Sequence, residues 1–578
     1  MLKNLGNFRR GSSTRTILFL FTSVVMTSVV VATEENLFSA FLVIVVFVAI
    51  YGLTFTFIRR HGVTSISLLA IFISIFAATE FKFNIVAMNL HIYDVFFYLF
   101  SFAHITFFAQ TFREAALGVA SSLVFIFFLL TLSWRCEPPH RYSLYSTSLI
   151  LILSLVVAWG SGNILIERGA PFFNRSQNIY SAFISSFGDL SSLSKAHRFF
   201  KIDAQAKYSI PANTIICNPT APPPHIVLTL VESAMPPGIY PGLEFPAEVY
   251  PLFESFDGRI HKLRVETFGG GTWLSDFSVL TGLSTNMFGS MRNFALQLTA
   301  GRLHHSLPQY LKACGYDASI IYPSFSQFAG AGIFYRAIGF DKVIDRKAHA
   351  APDERQRDAF YYDEARKLLD AGLNQEPSRP QFIVISTMST HSPWNFHFAA
   401  EAERPDDKSR SGMNSEFEEY KWRLVLAKRD RDAFRSDLEK NYPGEKFLFV
   451  AYGDHQPALA QLPFENAQLV ADKGLSWQLD PSARAFETYY SVEGLRFVPR
   501  IVMPNVQVIE IPHLATLAVV AAGLPLDSVY QLRWSLLETC QGLFVSCEDK
   551  SVLTAFQKWL SDDGWISFPH ASDIGLYR

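Results

Sequence analysis

His225-Ile-Val-Leu-Thr-Leu-Val231 follows the prolines Pro222, Pro223 and Pro224 and runs straight into Glu232-Ser233. A short β-branched apolar run after a proline cluster is the pattern of a buried strand. Ala318-Ser-Ile-Ile-Tyr322, Phe382-Ile-Val-Ile385 and Phe447-Leu-Phe-Val-Ala451 repeat it, and stretches of helical character such as His305–Cys314 and Phe417–Asn441 lie between. Strand alternating with helix predicts an α/β domain over 225–578, a doubly wound, mainly parallel sheet with helices on both faces.

In such sheets ligands bind at the carboxyl ends of the strands. The first strand ends in Glu232-Ser233, the third in Ser386-Thr-Met-Ser-Thr-His391 and the fourth in Gly453-Asp454-His455. Taken singly, each has an ordinary explanation. A Glu after a strand is usually solvated, and Gly269-Gly-Gly271 reads equally as a flexible turn. Thr272 fits a helix N-cap, Asp276 a first-turn acid and His391 a loop residue. Together they say more. Glu232, Asp454 and His455 offer two carboxylates and an imidazole, a donor set suited to Mn²⁺ or Zn²⁺, with Mg²⁺ a further candidate. A hydroxyl at a glycine turn opening a helix sits where backbone N–H groups hold phosphate. Metal coordination makes a threonine hydroxyl nucleophilic near neutral pH. The combination predicts metal-assisted phosphoryl transfer.

Ahead of this domain the texture is different. Uncharged runs occupy Thr16–Thr33, Asn36–Ile58, Gly62–Thr79, Val95–Phe112, Ala115–Trp134 and Tyr142–Ile166, each near the ~20 residues that span a bilayer. One cleaved signal peptide does not account for six runs. Lys3, Arg9, Arg10 and Arg15 before the first run place the N-terminus in the cytoplasm. The fourth run carries His104 and many aromatic residues, which suits an interfacial helix. With that run on the outer surface, Arg135, His140 and Arg141 become cytoplasmic and the soluble domain faces outward. The expected organisation is 1–166, a transmembrane region of five crossings plus one interfacial helix; 167–224, a linker with some helix; and 225–578, the catalytic domain.

Composition agrees. The 578 residues include 53 Phe, are 49% hydrophobic and only 18% charged, against roughly 25% charged in an ordinary soluble protein. A formal net charge of −2 leaves no basic footprint for nucleic acid. Five cysteines are too few and scattered for a disulfide framework or a zinc ribbon. A Cys540–Cys547 bond is allowed by an external compartment.

Val231-Glu-Ser233, Gly269-Gly-Gly-Thr-Trp-Leu-Ser-Asp-Phe-Ser-Val-Leu-Thr-Gly-Leu283, Ile338-Gly-Phe-Asp341, Met388-Ser-Thr-His-Ser-Pro-Trp394 and Tyr452-Gly-Asp-His-Gln-Pro457 occur in this order. The set resembles the lipoteichoic acid synthase branch, with its phosphoglycerol and phosphoethanolamine transferases, of the alkaline phosphatase/sulfatase superfamily. Lys82–Asp94 is similar to the external loop of that branch. The resemblance implies five membrane helices and an external catalytic domain. It also implies Glu232, Thr272, Asp454 and His455 as ligands of one divalent metal, Mn²⁺ first, with Thr272 the nucleophile. His391 would contact the substrate head group and assist proton transfer, and Trp273 and Arg336 are further candidates for substrate contact. Two departures stand out. Cys217-Asn-Pro-Thr-Ala221 lacks the arginine of the sulfatase Cys/Ser-x-Pro-x-Arg motif, which disfavours sulfate-ester hydrolysis. The branch's substrate-binding arginine before Gly-Phe-Asp is also missing from Phe328-Ala-Gly-Ala-Gly-Ile-Phe-Tyr-Arg336. Either Arg336 substitutes from another angle or the pocket takes another head group.

The resulting expectation is a phosphotransferase of the bacterial cytoplasmic (inner) membrane, its catalytic domain on the external or periplasmic side. It would carry a phospholipid head group, phosphoglycerol or phosphoethanolamine, through phosphothreonine to an envelope glycan, lipid or polymer. A hydrolase using the same site and a non-catalytic envelope-binding protein are the alternatives.

Overall fold

A computed structural model describes residues 12–34, 36–86, 88–99, 102–140, 144–168, 178–189, 215–351, 356–398, 415–460, 482–501, 505–562 and 564–566. The chain divides into two compact units, Met1–Ser194 and Lys195–Arg578. Most of the expected linker, together with Lys3, Arg9, Arg10 and Arg141, lies outside the described residues. The described part of that linker carries a helix, Ile179–Ser185, that belongs to the first unit.

The first unit is helical, as its long uncharged runs dictate: α1 Ser12–Thr33, α2 Leu37–Ile58, α3 His61–Val86, α4 Phe102–Thr111, α5 Arg113–Cys136, α6 Leu144–Arg168 and α7 Ile179–Ser185. Leu37–Ile58, His61–Phe83 and Arg113–Cys136 are long and apolar enough to cross a membrane. The described apolar parts of α1 and α6, Thr22–Thr33 and Ser148–Ile164, are shorter. Within the run Val95–Phe112 the described residues form two helical pieces. A π-helical turn at Val95–Leu99 precedes α4, whose 10 residues reach about 15 Å, half a hydrocarbon core.

Hydrogen bonds sort the connections of this unit into two groups. Glu137, just past α5, accepts from the His61 and Gly62 N–H groups at the start of α3, both at 2.8 Å. The Arg60 Nε donates to the Glu137 carbonyl, and His140 N–H donates to the Arg59 carbonyl. So the end of α5 lies beside the start of α3. At the other group, Glu34 accepts from Tyr180 and Ser181 N–H and from the Ser181 hydroxyl. Ile92 N–H donates to Ser186 Oγ, and Lys82 pairs with Asp94 at 2.6 Å. Between them Tyr180 stacks on Phe72 and meets Phe47 edge-on, pinning α7 against α2 and α3.

The second unit is built on an eight-stranded sheet: β1 His225–Val231, β2 His261–Arg264, β3 Asp317–Ile321, β4 Lys342–Ile344, β5 Gln381–Ser386, β6 Phe447–Gly453, β7 Glu487–Leu495 and β8 Ile509–Glu510. The order is β4-β3-β5-β1-β6-β7-β2-β8. Every pairing is parallel except those of β7 with β6 and β2. The mainly parallel sheet and its helical layers are therefore as the alternation predicts. β1 and β5 are buried along their whole length, as strands covered on both faces must be. Among the helices are α8 Thr272–Thr281, α9 Leu307–Ala313, α10 Ala331–Ala337, α11 Asp358–Leu373 and α12 Ser415–Asn441. α11 and α12 pack Tyr361, Leu369, Phe434 and Leu438 with Val227, Ile383 and Phe447 of the sheet in one core.

Two disulfides tie this unit, Cys217–Cys314 and Cys540–Cys547. The first, not foreseen from the sequence, joins the segment before β1 to the end of α9. It also removes Cys217 from consideration as a modified catalytic cysteine.

Candidate metal centre and nucleophile

Register places the first two carboxylates. In the parallel β1–β6 pair Val231 stands opposite Gly453, so Glu232 and Asp454 leave adjacent strands at the same level. Only glycine fits at 453. A Cβ there would come within 2.4 Å of the Ala234 carbonyl oxygen and 3.2 Å of Thr488 Cβ. One ligand atom from each of Glu232, Asp454 and His455 lies within 4.8 Å of the others, and all three residues are buried.

The nucleophile candidate arrives on a separate element. Gly269, Gly270 and Gly271 have φ of 70°, 158° and 86°, values open to glycine and strained for other residues, and α8 starts immediately after. Along α8 every side chain from Trp273 to Thr281 is buried. Thr272 alone is half-buried, and its hydroxyl donates to Glu232 Oε2 at 3.2 Å. The helix thus presents one hydroxyl at its positively polarised end, with the rest of its surface committed to packing.

The atoms around this point are unevenly satisfied. His455 Nδ1 lies 2.9 Å from the Gln456 carbonyl, so Nδ1 carries a hydrogen and, in the neutral ring, Nε2 is the nitrogen with the lone pair. His455 Nε2 is 3.2 Å from Asp454 Oδ2 and 3.6 Å from Glu232 Oε1. Both His455 Nε2 and Asp454 Oδ2 are buried without a hydrogen-bond partner among the described residues. Burial, then the Glu232 charge, pushes Asp454 up to about 7, although His455, the Thr272 hydroxyl and the Ser233 N–H pull the other way. Burial depresses His455, but the two carboxylates outweigh it and the net shift is upward. Two carboxylates and an imidazole grouped in burial, with Asp454 Oδ2 and His455 Nε2 making no hydrogen bond, fit a divalent cation. Glu232, Asp454 and His455, with Thr272 Oγ1 beside them, are the residues able to hold it.

Supports extend from each ligand. Ser275 Oγ donates to the Asp454 carbonyl at 2.6 Å. Thr390 Oγ1 donates to the Glu232 carbonyl, linking the loop after β5 to the ligand after β1. Asp276 is buried one turn along α8 and accepts from Tyr335 and Tyr452 hydroxyls at 2.7 and 3.1 Å. It anchors α8 between α10 and β6.

His391 follows Thr390. Its Nδ1 is bound to the Ser392 carbonyl at 2.5 Å, which leaves Nε2 as its outward nitrogen. The loop is clamped from α12: Arg423, fully buried, donates to the carbonyls of His391, Pro393 and Phe396 and pairs with Glu419 at 3.0 Å. Glu419 in turn accepts from Phe398 N–H.

Trp273 and Arg336 make contacts of their own away from the three ligand side chains. The Trp273 indole is 8% exposed, donates to the Asn293 carbonyl and meets Phe328 edge-on. Because neighbouring helical residues point about 100° apart, Trp273 is turned into the core when Thr272 faces out. Arg336 is exposed on α10, and its NH1 folds back to the Gly332 carbonyl at 3.0 Å. Tyr335 and Phe334, beside it, reach α8, at Asp276 and Phe277. Sequence reasoning missed Ser233, Ser275, Tyr420 and Arg423, whose roles depend on contacts between segments far apart in the chain.

Residues 224–480 match the family model described as Sulfatase. An uncharacterized protein of Haemophilus influenzae is 27% identical over 259 residues, 42% of this chain and 45% of that protein, so the match spans less than half of the relative. Among solved structures, the integral membrane lipooligosaccharide phosphoethanolamine transferase A (EptA) of Neisseria meningitidis aligns with a TM-score of 0.50 at 11% identity. The alignment covers 89% of this chain and 96% of that one, a likeness of fold across both units. The Streptococcus pyogenes phosphoglycerol transferase GacH, solved with sn-glycerol-1-phosphate, aligns with a TM-score of 0.42 at 17% identity, over 65% of this chain and 92% of that one.

Proposed function

We propose, from the match of residues 224–480 to the Sulfatase family model, a membrane-anchored, metal-dependent phosphotransferase. It moves the phosphoglycerol or phosphoethanolamine head group of a phospholipid, through a phosphothreonine at Thr272, to a hydroxyl of an envelope glycan, lipid or polymer. The observation that carries this reading is the half-buried Thr272 hydroxyl on Glu232, beside a buried cluster whose Asp454 Oδ2 and His455 Nε2 make no hydrogen bond among the described residues. A divalent cation at Glu232, Thr272, Asp454 and His455, Mn²⁺ first and Zn²⁺ or Mg²⁺ next, supplies charge neutralisation for the phosphoryl oxygens and acidifies the hydroxyl.

The residues divide the remaining work. Thr272 Oγ1 attacks phosphorus in line, and diacylglycerol leaves as an alcohol once its oxygen is protonated. The first N–H groups of α8 face the phosphoryl oxygens. Glu232 Oε2 is the neighbour that the Thr272 proton already meets. His391, through Nε2, delivers a proton to the leaving oxygen and recovers one from the acceptor hydroxyl when that hydroxyl displaces Thr272.

The first unit is proposed to cross the membrane five times, through α1, α2, α3, α5 and α6, with residues 95–112 on the outer surface. The two groups of connections support this: Arg59–Gly62 lies with Glu137–His140, and Glu34 and Ile92 lie with 178–186. α3 starts and α5 ends in the first group, so the chain between them turns in the second. The cysteines support an external second unit. Its two disulfides suit an oxidising compartment, whereas the free Cys136 ends α5 beside the Arg59 group. An anchor in the same bilayer raises the effective concentration of a lipid donor.

The test is head-group transfer by the full-length protein in vesicles containing phosphatidylglycerol or phosphatidylethanolamine with a hydroxyl acceptor. Transfer should require a divalent cation and vanish in Thr272→Ala. Released head group without acceptor labelling assigns the site to hydrolysis, and unchanged turnover in Thr272→Ala refutes the proposal.

A further inference from the structure

Ser233 touches both carboxylates of the cluster. Its backbone N–H donates to Asp454 Oδ1 at 2.8 Å, and its hydroxyl donates to Glu232 Oε1 at 2.9 Å. Both contacts depend on an unusual backbone. Ser233 has φ +50°, in the left-handed region that a serine seldom enters, and it does so directly after the strand end. That conformation is held from outside. The Tyr420 hydroxyl donates to the Ser233 carbonyl at 2.7 Å and accepts from Met235 N–H at 2.9 Å, so one buried tyrosine staples both sides of the turn. Strain of this kind persists where the surroundings over-determine it, and it gathers at functional sites.

The consequence appears in the oxygens left over. Ser233 engages Oε1 of Glu232 and Oδ1 of Asp454. Glu232 Oε2 remains, on the Thr272 hydroxyl, and so does Asp454 Oδ2, which is buried without a hydrogen bond 3.2 Å from His455 Nε2. A carboxylate free to rotate about its terminal bond would offer either oxygen. We infer that Ser233 is a positioning residue for the metal centre: one serine in a strained turn fixes which oxygen of each carboxylate faces the cation. The inference rests on the metal-centre reading given above and assigns to Ser233 no contact with cation or substrate. Residues that orient metal ligands typically matter about 10–100-fold in affinity.

The test uses full-length protein in detergent, stripped with EDTA, and titrated calorimetrically with Mn²⁺ and separately with Zn²⁺. Wild type is compared with Ser233→Ala and Ser233→Gly, and the melting temperature of each metal-free protein is recorded. Both substitutions delete the hydroxyl. Glycine also relieves the left-handed strain, so Ser233→Gly should melt no lower than Ser233→Ala. If Ser233 orients the ligands, the Kd rises about tenfold or more in both variants, including the glycine variant with its sound fold. A serine that merely shapes the turn predicts wild-type affinity in Ser233→Gly. That result, or equal Kd in all three proteins, overturns the inference. Wild-type protein that binds neither ion overturns the metal centre itself, and this inference with it.

Discussion

Gly453→Ala tests how the sheet register builds the site. The added Cβ would lie 2.4 Å from the Ala234 carbonyl oxygen, where ordinary contact needs about 1 Å more. It cannot slide away on the other side, because Thr488 Cβ is 3.2 Å distant. The end of β6 must therefore move relative to the loop after β1, which carries Asp454 away from Glu232 and Ser233. Overpacking of this kind costs about 1–3 kcal/mol, or a fall of roughly 2–4 °C per kcal/mol in a unit of a few hundred residues. The cation adds a second readout. At a concentration 100 times Kd, binding stabilises wild type by about 2.7 kcal/mol, and a tenfold rise in Kd halves that gain. The assay is a thermal melt of the full-length protein with and without Mn²⁺, with Gly444→Ala as control because a Cβ there meets nothing within 4 Å. Wild-type melting and an undiminished Mn²⁺ shift in Gly453→Ala would refute the argument that this close approach sets the site.

Further outcomes follow from other groups. Burial lowers His513 to about 4, and its Nε2–H donates to the Leu543 carbonyl at 2.9 Å. The unfolded chain binds this proton near 6.5 and the folded one resists it. The contribution is therefore complete above about pH 6.5 and lost as pH falls toward 4, amounting to about 2 kcal/mol at pH 5. Urea denaturation at pH 7 and 5 should show that loss and its reduction in His513→Gln. Arg423→Met unclamps the His391 loop and takes the guanidinium from buried Glu419, which keeps the Phe398 N–H and His397, at a cost of about 3 kcal/mol, the low end for a broken buried pair. Adding Glu419→Gln should restore most of the stability but not kcat/KM, with Mn²⁺ affinity unchanged throughout; full recovery of turnover would remove the loop's role.

The sequence was most legible where burial is two-sided. β1, β3, β5 and β6 are short apolar runs because helices cover both their faces, and the rim residues that follow them could be read off directly. β7 was not visible, since Glu487-Thr-Tyr-Tyr-Ser-Val-Glu-Gly-Leu495 mixes polar and apolar positions. The four-residue β2, three-residue β4 and two-residue β8 are too short to show a period. Glu232, Asp454 and His455 were legible because strand ends collect at one rim. Trp273 was a candidate through the resemblance, and the helical twist turns its indole into the core. Arg336 was a candidate because the branch's arginine before Gly-Phe-Asp is missing, and the fold shows its guanidinium bonded to the Gly332 carbonyl of its own helix. The Ser233 N–H and Arg423 act across separations of 221 and 32 residues, over which a single sequence carries no pairing signal, and the Ser233 hydroxyl reaches adjacent Glu232 from a left-handed backbone that the sequence does not announce. The disulfide Cys217–Cys314, 97 residues apart, was hidden for the same reason.

The most direct measurement is intact-protein and peptide mass spectrometry of full-length protein incubated with defined phospholipids and Mn²⁺, without an acceptor. The account predicts a phosphoglycerol or phosphoethanolamine adduct on the peptide carrying Thr272, discharged on adding a hydroxyl acceptor and absent from Thr272→Ser protein treated with chelator. An adduct on another residue, or head-group transfer with Thr272 never modified, would contradict it.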